Sequence, residues 1–307
     1  MKNISTYIQE TLTTLYPPEE IRGIIRLILS HVCGLSYNQQ ILCKDKQISE
    51  KEKVEINTIV NRLKKMEPLQ YILGETEFYS LPIKVNPSVL IPRPETEELV
   101  DMILKTVMRN HNMTQKPFPR IKTCQPLRIL DIGTGSGCIA ISLAKHITDA
   151  DVIAVDISED ALKTAKMNAL LNNIDISFIH VDILNIPTSS ELNSGYFDII
   201  VSNPPYITNI EKNMMSENVI DYEPHCALFV PDDAPLLFYD AIAGFALKKL
   251  SSEGMLYFEI NANYDIEINE MLHDKGFFHT EIIRDLSGKN RFISAGNIGE
   301  QLVDNGI

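Results

Sequence analysis

Asn203-Pro204-Pro205-Tyr206 is the segment whose residue types point most directly to chemistry. Two consecutive prolines fix φ and remove two backbone donors, which leaves a rigid turn whose nearby carbonyls are free to accept. The nitrogen of an amide or of a conjugated amino group is a poor nucleophile, because its lone pair is delocalised. If the Asn203 side-chain oxygen and the Pro204 carbonyl each accept one N–H, such an NH₂ group is fixed with its lone pair facing an electrophilic carbon. Tyr206 could stack on the planar group and exclude water. Contacts of this kind supply orientation and modest electrostatic help. On this reading Asn203, Pro204 and Tyr206 are the catalytic residues, and the reaction is an in-line displacement with proton loss during or after transfer. It calls for no strong base and no metal. The plainer alternative is a strand terminator capped by Asn203.

A second constellation lies upstream. Asp131-Ile132-Gly133-Thr134-Gly135-Ser136-Gly137 ends an apolar run and opens a helical pattern. Its glycines allow a tight turn and let a ligand approach the backbone without meeting Cβ atoms. Such turns also serve nicotinamide dinucleotides, or no ligand at all. Here, however, the spacing is GxGxG, with an acid two residues before the first glycine. That suits a cofactor without a pyrophosphate, such as S-adenosyl-L-methionine, with Gly133, Thr134, Gly135, Ser136 and Gly137 around its methionine part. Asp156 follows Gly137 by nineteen residues at the end of the next apolar run, where a carboxylate can accept two ribose hydroxyls. Asp182, in Val181-Asp182-Ile183, could accept the adenine amino group; an exposed strand-end carboxylate is an equally good reading.

The elements that must position these residues follow a βαβ rhythm from residue 127 onward. Apolar strands are expected at 127–131, 152–155, 176–181, 197–201 and 255–260, with two closing strands near 281–284 and 291–294. Helices are expected at 138–146, after Ser158, at 235–250 and at 266–272. Seven strands in this order make an α/β fold with a mostly parallel sheet and helices on both faces. Ligand chemistry in such sheets sits beyond the carboxyl ends of the strands, where both constellations fall.

Before this region, residues 1–73 read as helices only. Ile4, Ile8, Leu12 and Leu15 share a face, Pro18 stands at a first helical position, and Ser49 with Glu52 forms a capping box. Residues 74–93 read as a connecting β-hairpin. A helix then begins near Pro94, with Glu95, Glu97 and Glu98 in its first turn, as the macrodipole favours. The polar stretch 109–126 reads as a linker and 299–307 as a tail, which gives a principal domain at 94–298.

Composition limits the partners. A length of 307 residues leaves room for one large domain and a smaller one. The net charge of −13 weighs against a partner bound through its phosphates, so no direct nucleic-acid binding is expected. No run approaches membrane-spanning length and no signal-peptide core opens the chain, so a cytoplasmic protein is expected, and a monomer. Cys33, Cys43, Cys124, Cys138 and Cys226 are scattered without metal-ligand spacing and read as reduced thiols.

Longer matches extend these motifs. Pro68-Leu69-Gln70-Tyr71-Ile72-Leu73-Gly74, Val89-Leu90-Ile91-Pro92-Arg93-Pro94-Glu95-Thr96-Glu97, the glycine turn and the residues 197–207 around the tetrapeptide resemble the HemK/PrmC family of protein-(glutamine-N5) methyltransferases. Tyr222-Glu223-Pro224 with Ala227-Leu228, and Asp285-Leu286-Ser287-Gly288 with Arg291, extend the resemblance over nearly the whole chain. It implies a Rossmann-like class I methyltransferase domain behind a small helical bundle that recognises peptide chain release factors. The glutamine of their Gly-Gly-Gln loop would be held by Asn203, Pro204, Pro205 and Tyr206. Asn203 and Ile183 would join the cofactor site, and the segment around Glu95 would wall the pocket. Two features depart from the family pattern: Ile183 stands where some members carry an aromatic residue, and Asn261-Ala262-Asn263-Tyr264 lacks a customary Gly and Gln. Sister activities on ribosomal-protein glutamine or on adenine N6 in nucleic acids share the tetrapeptide, and a silent cofactor-binding module is the non-enzymatic alternative.

Overall fold

The computed structural model describes residues 2–42, 47–112 and 126–296, and divides into two compact units. Most of the expected 109–126 linker, the expected 299–307 tail, Cys43 and Cys124 lie outside the described residues.

The first unit comprises residues 1–76 with 215–222. Its helices are α1 (Lys2–Leu12), α2 (Pro18–Cys33), α3 (Tyr37–Leu42), α4 (Glu50–Leu63) and α5 (Leu69–Leu73). Ile8, Leu12, Ile21, Ile24, Ile28, Ile56, Val60 and Leu63, spaced at helical intervals in the sequence, form one buried cluster. Pro18 opens α2, and Gly34 closes it in the left-handed region at φ 62°. The capping box of α4 is formed as expected: the Glu52 N–H donates to Ser49 Oγ, and the Ser49 N–H donates to the Glu52 carboxylate at 2.7 Å.

The second unit comprises residues 77–214 and 223–307. The hairpin strands are β1 (Glu75–Phe78), which bridges the division in sequence, and β2 (Leu81–Lys84). Helix α6 (Pro94–Asn112) then buries Leu99, Val100, Ile103, Leu104 and Val107. The sheet is built from β3 (Leu127–Ile132), β4 (Ala150–Asp156), β5 (Ser177–His180) and β6 (Phe197–Ser202), with α7 (Cys138–His146) and α8 (Glu159–Leu171) as crossovers. Two features were not expected: β7 (Ile207–Thr208), paired in parallel with β8 (Phe229–Val230), and α9 (Glu217–Tyr222), which belongs to the first unit. The sheet is completed by α10 (Leu237–Lys249), β9 (Leu250–Glu259), α11 (Asp265–Lys275), β10 (Phe278–Arg284) and β11 (Asn290–Gly296).

The seven strands lie in the order β10-β11-β9-β6-β3-β4-β5. Strands β5, β4, β3, β6 and β9 are mutually parallel; β11 runs antiparallel to β9 and to β10 on either side of it, so β10 has the direction of the parallel strands. From β3 the chain runs outward through β4 to β5, then returns to place β6 on the other side of β3. That reversal is a topological switch point, the place where open α/β sheets bind ligands. Leu130, Ile132, Ile200, Leu256 and Phe258 supply the sheet's share of the core, and Tyr239, Ile242 and Ala246 of α10 pack on it.

Candidate active site

The two constellations meet at this switch point. Ile132 and Ser202, the last residues of β3 and β6, are register partners, and the Ser202 hydroxyl donates to the Ile132 carbonyl at 2.7 Å. The glycine turn therefore starts beside the root of the tetrapeptide. The N–H groups of Gly133 and Thr134 both donate to the Val155 carbonyl at 2.9 Å, tying the turn to the end of β4. Asp131 does not face a ligand. It is fully buried and accepts from Thr134 Oγ1 and the Ala140 N–H, fastening the turn to the first residues of α7. Burial pushes its carboxyl up to about 7 against the pull of those two donors.

A cavity of about 310 Å³ opens at the strand ends, near the lower bound for small-molecule sites. Gly133, Thr134, Gly135 and Ser136 form one wall. Asp156 and Asp182 with Ile183 continue it along the ends of β4 and β5, and Asn203, Pro204 and Pro205 close it at the end of β6. At Gly133 and Gly135, with φ of 72° and 55°, an added Cβ would meet no atom within 4 Å, which is the open cradle a ligand requires. Gly137 differs and lies off the cavity wall. A Cβ there would sit 3.1 Å from both Ala165 and Ile141, so its bareness serves the packing of α7 on α8.

Asp156 is poised on two backbone donors, the Gly135 N–H at 2.8 Å and the Ser158 N–H at 2.9 Å, one to each oxygen. Its remaining lone pairs are available to hydroxyl donors. Burial raises its pKa, and those N–H groups oppose the rise. Asp182 accepts from the Leu184 N–H at 2.9 Å through Oδ1.

Asn203 donates through Nδ2 to Thr96 Oγ1 at 3.3 Å, which leaves its Oδ1 to accept. Tyr206 is not on the cavity wall. Its ring packs against the core and its hydroxyl donates to Glu259 Oε1 at 3.3 Å, so it anchors the tetrapeptide from behind. Burial, with the Glu259 carboxyl next to it, raises the phenol pKa. Asn261 of the departing segment donates through Nδ2 to the Tyr206 carbonyl and to Glu211, both at 3.1 Å. The departure from the family pattern thus touches the tetrapeptide itself.

Two of the acids in the first turn of α6 do more than suit the helix dipole, serving as acceptors: Glu97 for the Tyr79 N–H and Glu98 for the Leu286 N–H. Thr96, just before them, lines the cavity with Arg93. Arg93 pairs with Glu223 at 2.6 Å, and Glu223, 4% exposed, also accepts from the Ile91 N–H. This ion pair fixes the 88–93 wall. Thr96 and Glu223 stand in the matched segments 89–97 and 222–224, but the pairings of Thr96 with Glu259 and of Glu223 with Arg93 span more than 100 residues, which no local pattern reveals.

The hMettl16 catalytic domain in complex with MAT2A 3'UTR hairpin 1 superposes with a TM-score of 0.52, covering 82% of each chain at 17% identity, a likeness of fold alone. A doubly wound sheet with an antiparallel β10/β11 edge and a glycine turn at its switch point is that of a Rossmann-like methyltransferase. Residues 118–224 match the family described as Methyltransferase small domain, and residues 5–74 that described as PrmC N-terminal domain. A release factor glutamine methyltransferase of Flavobacterium psychrophilum is 44% identical over 95% of this chain and 98% of its own length. One of Bacteroides thetaiotaomicron is 42% identical over 96% and 99%. The chain belongs to the release factor glutamine methyltransferase family.

Proposed function

We propose that the protein transfers the methyl group of S-adenosyl-L-methionine to the side-chain nitrogen N5 of the glutamine in the Gly-Gly-Gln loop of peptide chain release factors. The observation that carries this reading is the single cavity whose walls hold both the glycine turn with Asp156 and Asn203-Pro204-Pro205. Donor and acceptor would meet in one space. The bound cofactor supplies a sulfonium methyl, an electrophile that needs no further activation. Gly133, Gly135 and Ser136 admit its amino-acid part, Asp156 accepts its ribose hydroxyls, and Asp182 with Ile183 borders its base. Ile183 offers an aliphatic face there rather than a ring.

At the acceptor end Asn203 Oδ1 and the Pro204 carbonyl take the two N–H groups of the glutamine amide. That fixes the plane of the amide and directs the nitrogen lone pair, which is the costly part of using so weak a nucleophile. The apolar wall around Pro205 and Phe229 keeps water from the methyl. Tyr206 holds the tetrapeptide in place through its hydroxyl. The helical domain 1–73 is assigned to release-factor recognition, and the enzyme to the cytoplasm as a monomer. Among the described residues no helix is long and apolar enough to cross a membrane.

The test is to incubate the protein with labelled S-adenosylmethionine and, in parallel, a purified release factor, ribosomal protein and DNA. Label is expected in the release factor. Label confined to the ribosomal protein or to DNA would overturn the substrate, and binding of the donor without transfer would reduce the protein to a cofactor-binding module.

A further inference from the structure

The side chains behind Asn203 form a hydrogen-bonded line whose direction is set at its far end. Glu259 closes β9 and is 2% exposed. Phe258 is the register partner of Ser202, so the topology brings Glu259 to the level of Asn203. Glu259 Oε2 lies 2.7 Å from Thr96 Oγ1, and Oε1 lies 3.3 Å from the Tyr206 hydroxyl. Burial raises its pKa above that of an ordinary carboxyl; the Thr96 hydroxyl, Arg291 (itself held by Asp285 at 3.2 Å) and the Tyr206 hydroxyl work against that rise, and Glu95 adds to it.

A threonine hydroxyl carries one proton. In the 2.7 Å contact with a carboxylate oxygen that proton belongs to the Thr96–Glu259 bond. Toward Asn203, Thr96 can then only accept. Asn203 Nδ2, 3.3 Å away, must be the donor, and the amide oxygen is the atom left over. We infer that Thr96 and Glu259 are positioning residues that fix the polarity of the Asn203 amide, so that it offers an oxygen and not an NH₂ to the acceptor nitrogen. The inference rests on the reading that Asn203 receives an N–H of the substrate amide. An inverted Asn203 would set a donor against a donor and lose one of the two bonds that orient the nucleophile. The same carboxylate receives Tyr206, so one buried acid governs both ends of the tetrapeptide.

Two substitutions reverse or remove the relay without changing its volume much. Glu259→Gln can donate to Thr96, which frees the threonine proton to point at Asn203. Thr96→Val removes the acceptor, and Thr96→Ser restores it. With a release factor as substrate, kcat is expected to fall at least about tenfold for Glu259→Gln and Thr96→Val, with KM for S-adenosylmethionine held within about twofold; Thr96→Ser stays within about threefold of wild type. A second readout needs no substrate. In the ligand-free protein labelled with ¹⁵N-asparagine, the hydrogen-bonded Asn203 amide proton resolves in wild type and Thr96→Ser and moves in Glu259→Gln and Thr96→Val. Wild-type kcat in both of those variants, or Asn203 amide protons unmoved in both, would overturn the relay. A wild-type enzyme that labels no release factor would count against the function, and the amide resonances would still decide the relay.

Discussion

Gly135 and Gly137 stand two residues apart, and both adopt positive φ, yet a methyl group would meet different surroundings at each. At Gly135 it would enter empty space on the cavity wall; at Gly137 it would press on Ala165 and Ile141 at 3.1 Å. Gly135→Ala is therefore expected to weaken S-adenosylmethionine binding in calorimetric titration, with only the modest stability cost of a strained φ, about 1 kcal/mol. Gly137→Ala adds a steric cost to the same strain, for a loss of about 2–3 kcal/mol in denaturant unfolding. Equal effects of the two on both measurements would show that the turn acts as one structural unit. The residues that read most clearly in the sequence were those whose geometry is local: the glycines, which adopt positive φ in the turn, and Asp156 and Asn203 at the ends of β4 and β6. Glu259 ends an apolar run in the sequence much as Asp182 follows one, and only the register of β9 against β6 distinguishes a buried relay from a strand-end carboxylate. Tyr206 was expected to face the acceptor, and its hydroxyl instead finds an acid 53 residues later.

At the scale of elements, the alternation of apolar runs with helical spacing was enough to place the strands of the main sheet to within three residues at each end, except that β9 begins at Leu250 and not at 255. What it could not reveal were the pieces too short to have a period. The β7–β8 pair has two residues in each strand, and nothing local tells the six-residue α9 that it packs with residues 1–76. Between β3 and α7 the joint is Asp131, whose carboxyl holds the turn to the helix from a fully buried position. Its folded pKa of about 7 lies above the 3.8 of an ordinary aspartate, so the folded state binds the proton more tightly than the unfolded chain. Asp131 thus costs no stability below the unfolded value, and its destabilising contribution grows as pH rises from about 4 to about 7. Asp131→Asn is expected to remove that slope, on the order of 4 kcal/mol across the window, when unfolding is followed by urea titration at several pH values. Parallel pH–stability curves for variant and wild type would show that the acid ionises as freely inside as outside.

For the whole molecule, the charge of −13 and the family to which the chain belongs bear on the same question, which acceptor is offered to the cavity. A strongly acidic protein has little attraction for the phosphates of a nucleic acid, so a planar nitrogen carried by a protein is the acceptor its electrostatics favour. The most direct measurement is peptide mapping by tandem mass spectrometry of a purified release factor after incubation with S-adenosylmethionine and either wild type or Asn203→Ala. The account predicts one added methyl on the glutamine of the Gly-Gly-Gln peptide with wild type, and a rate at least about a hundredfold lower with the variant. A methyl group on any other residue, or equal methylation by the two proteins, would contradict it.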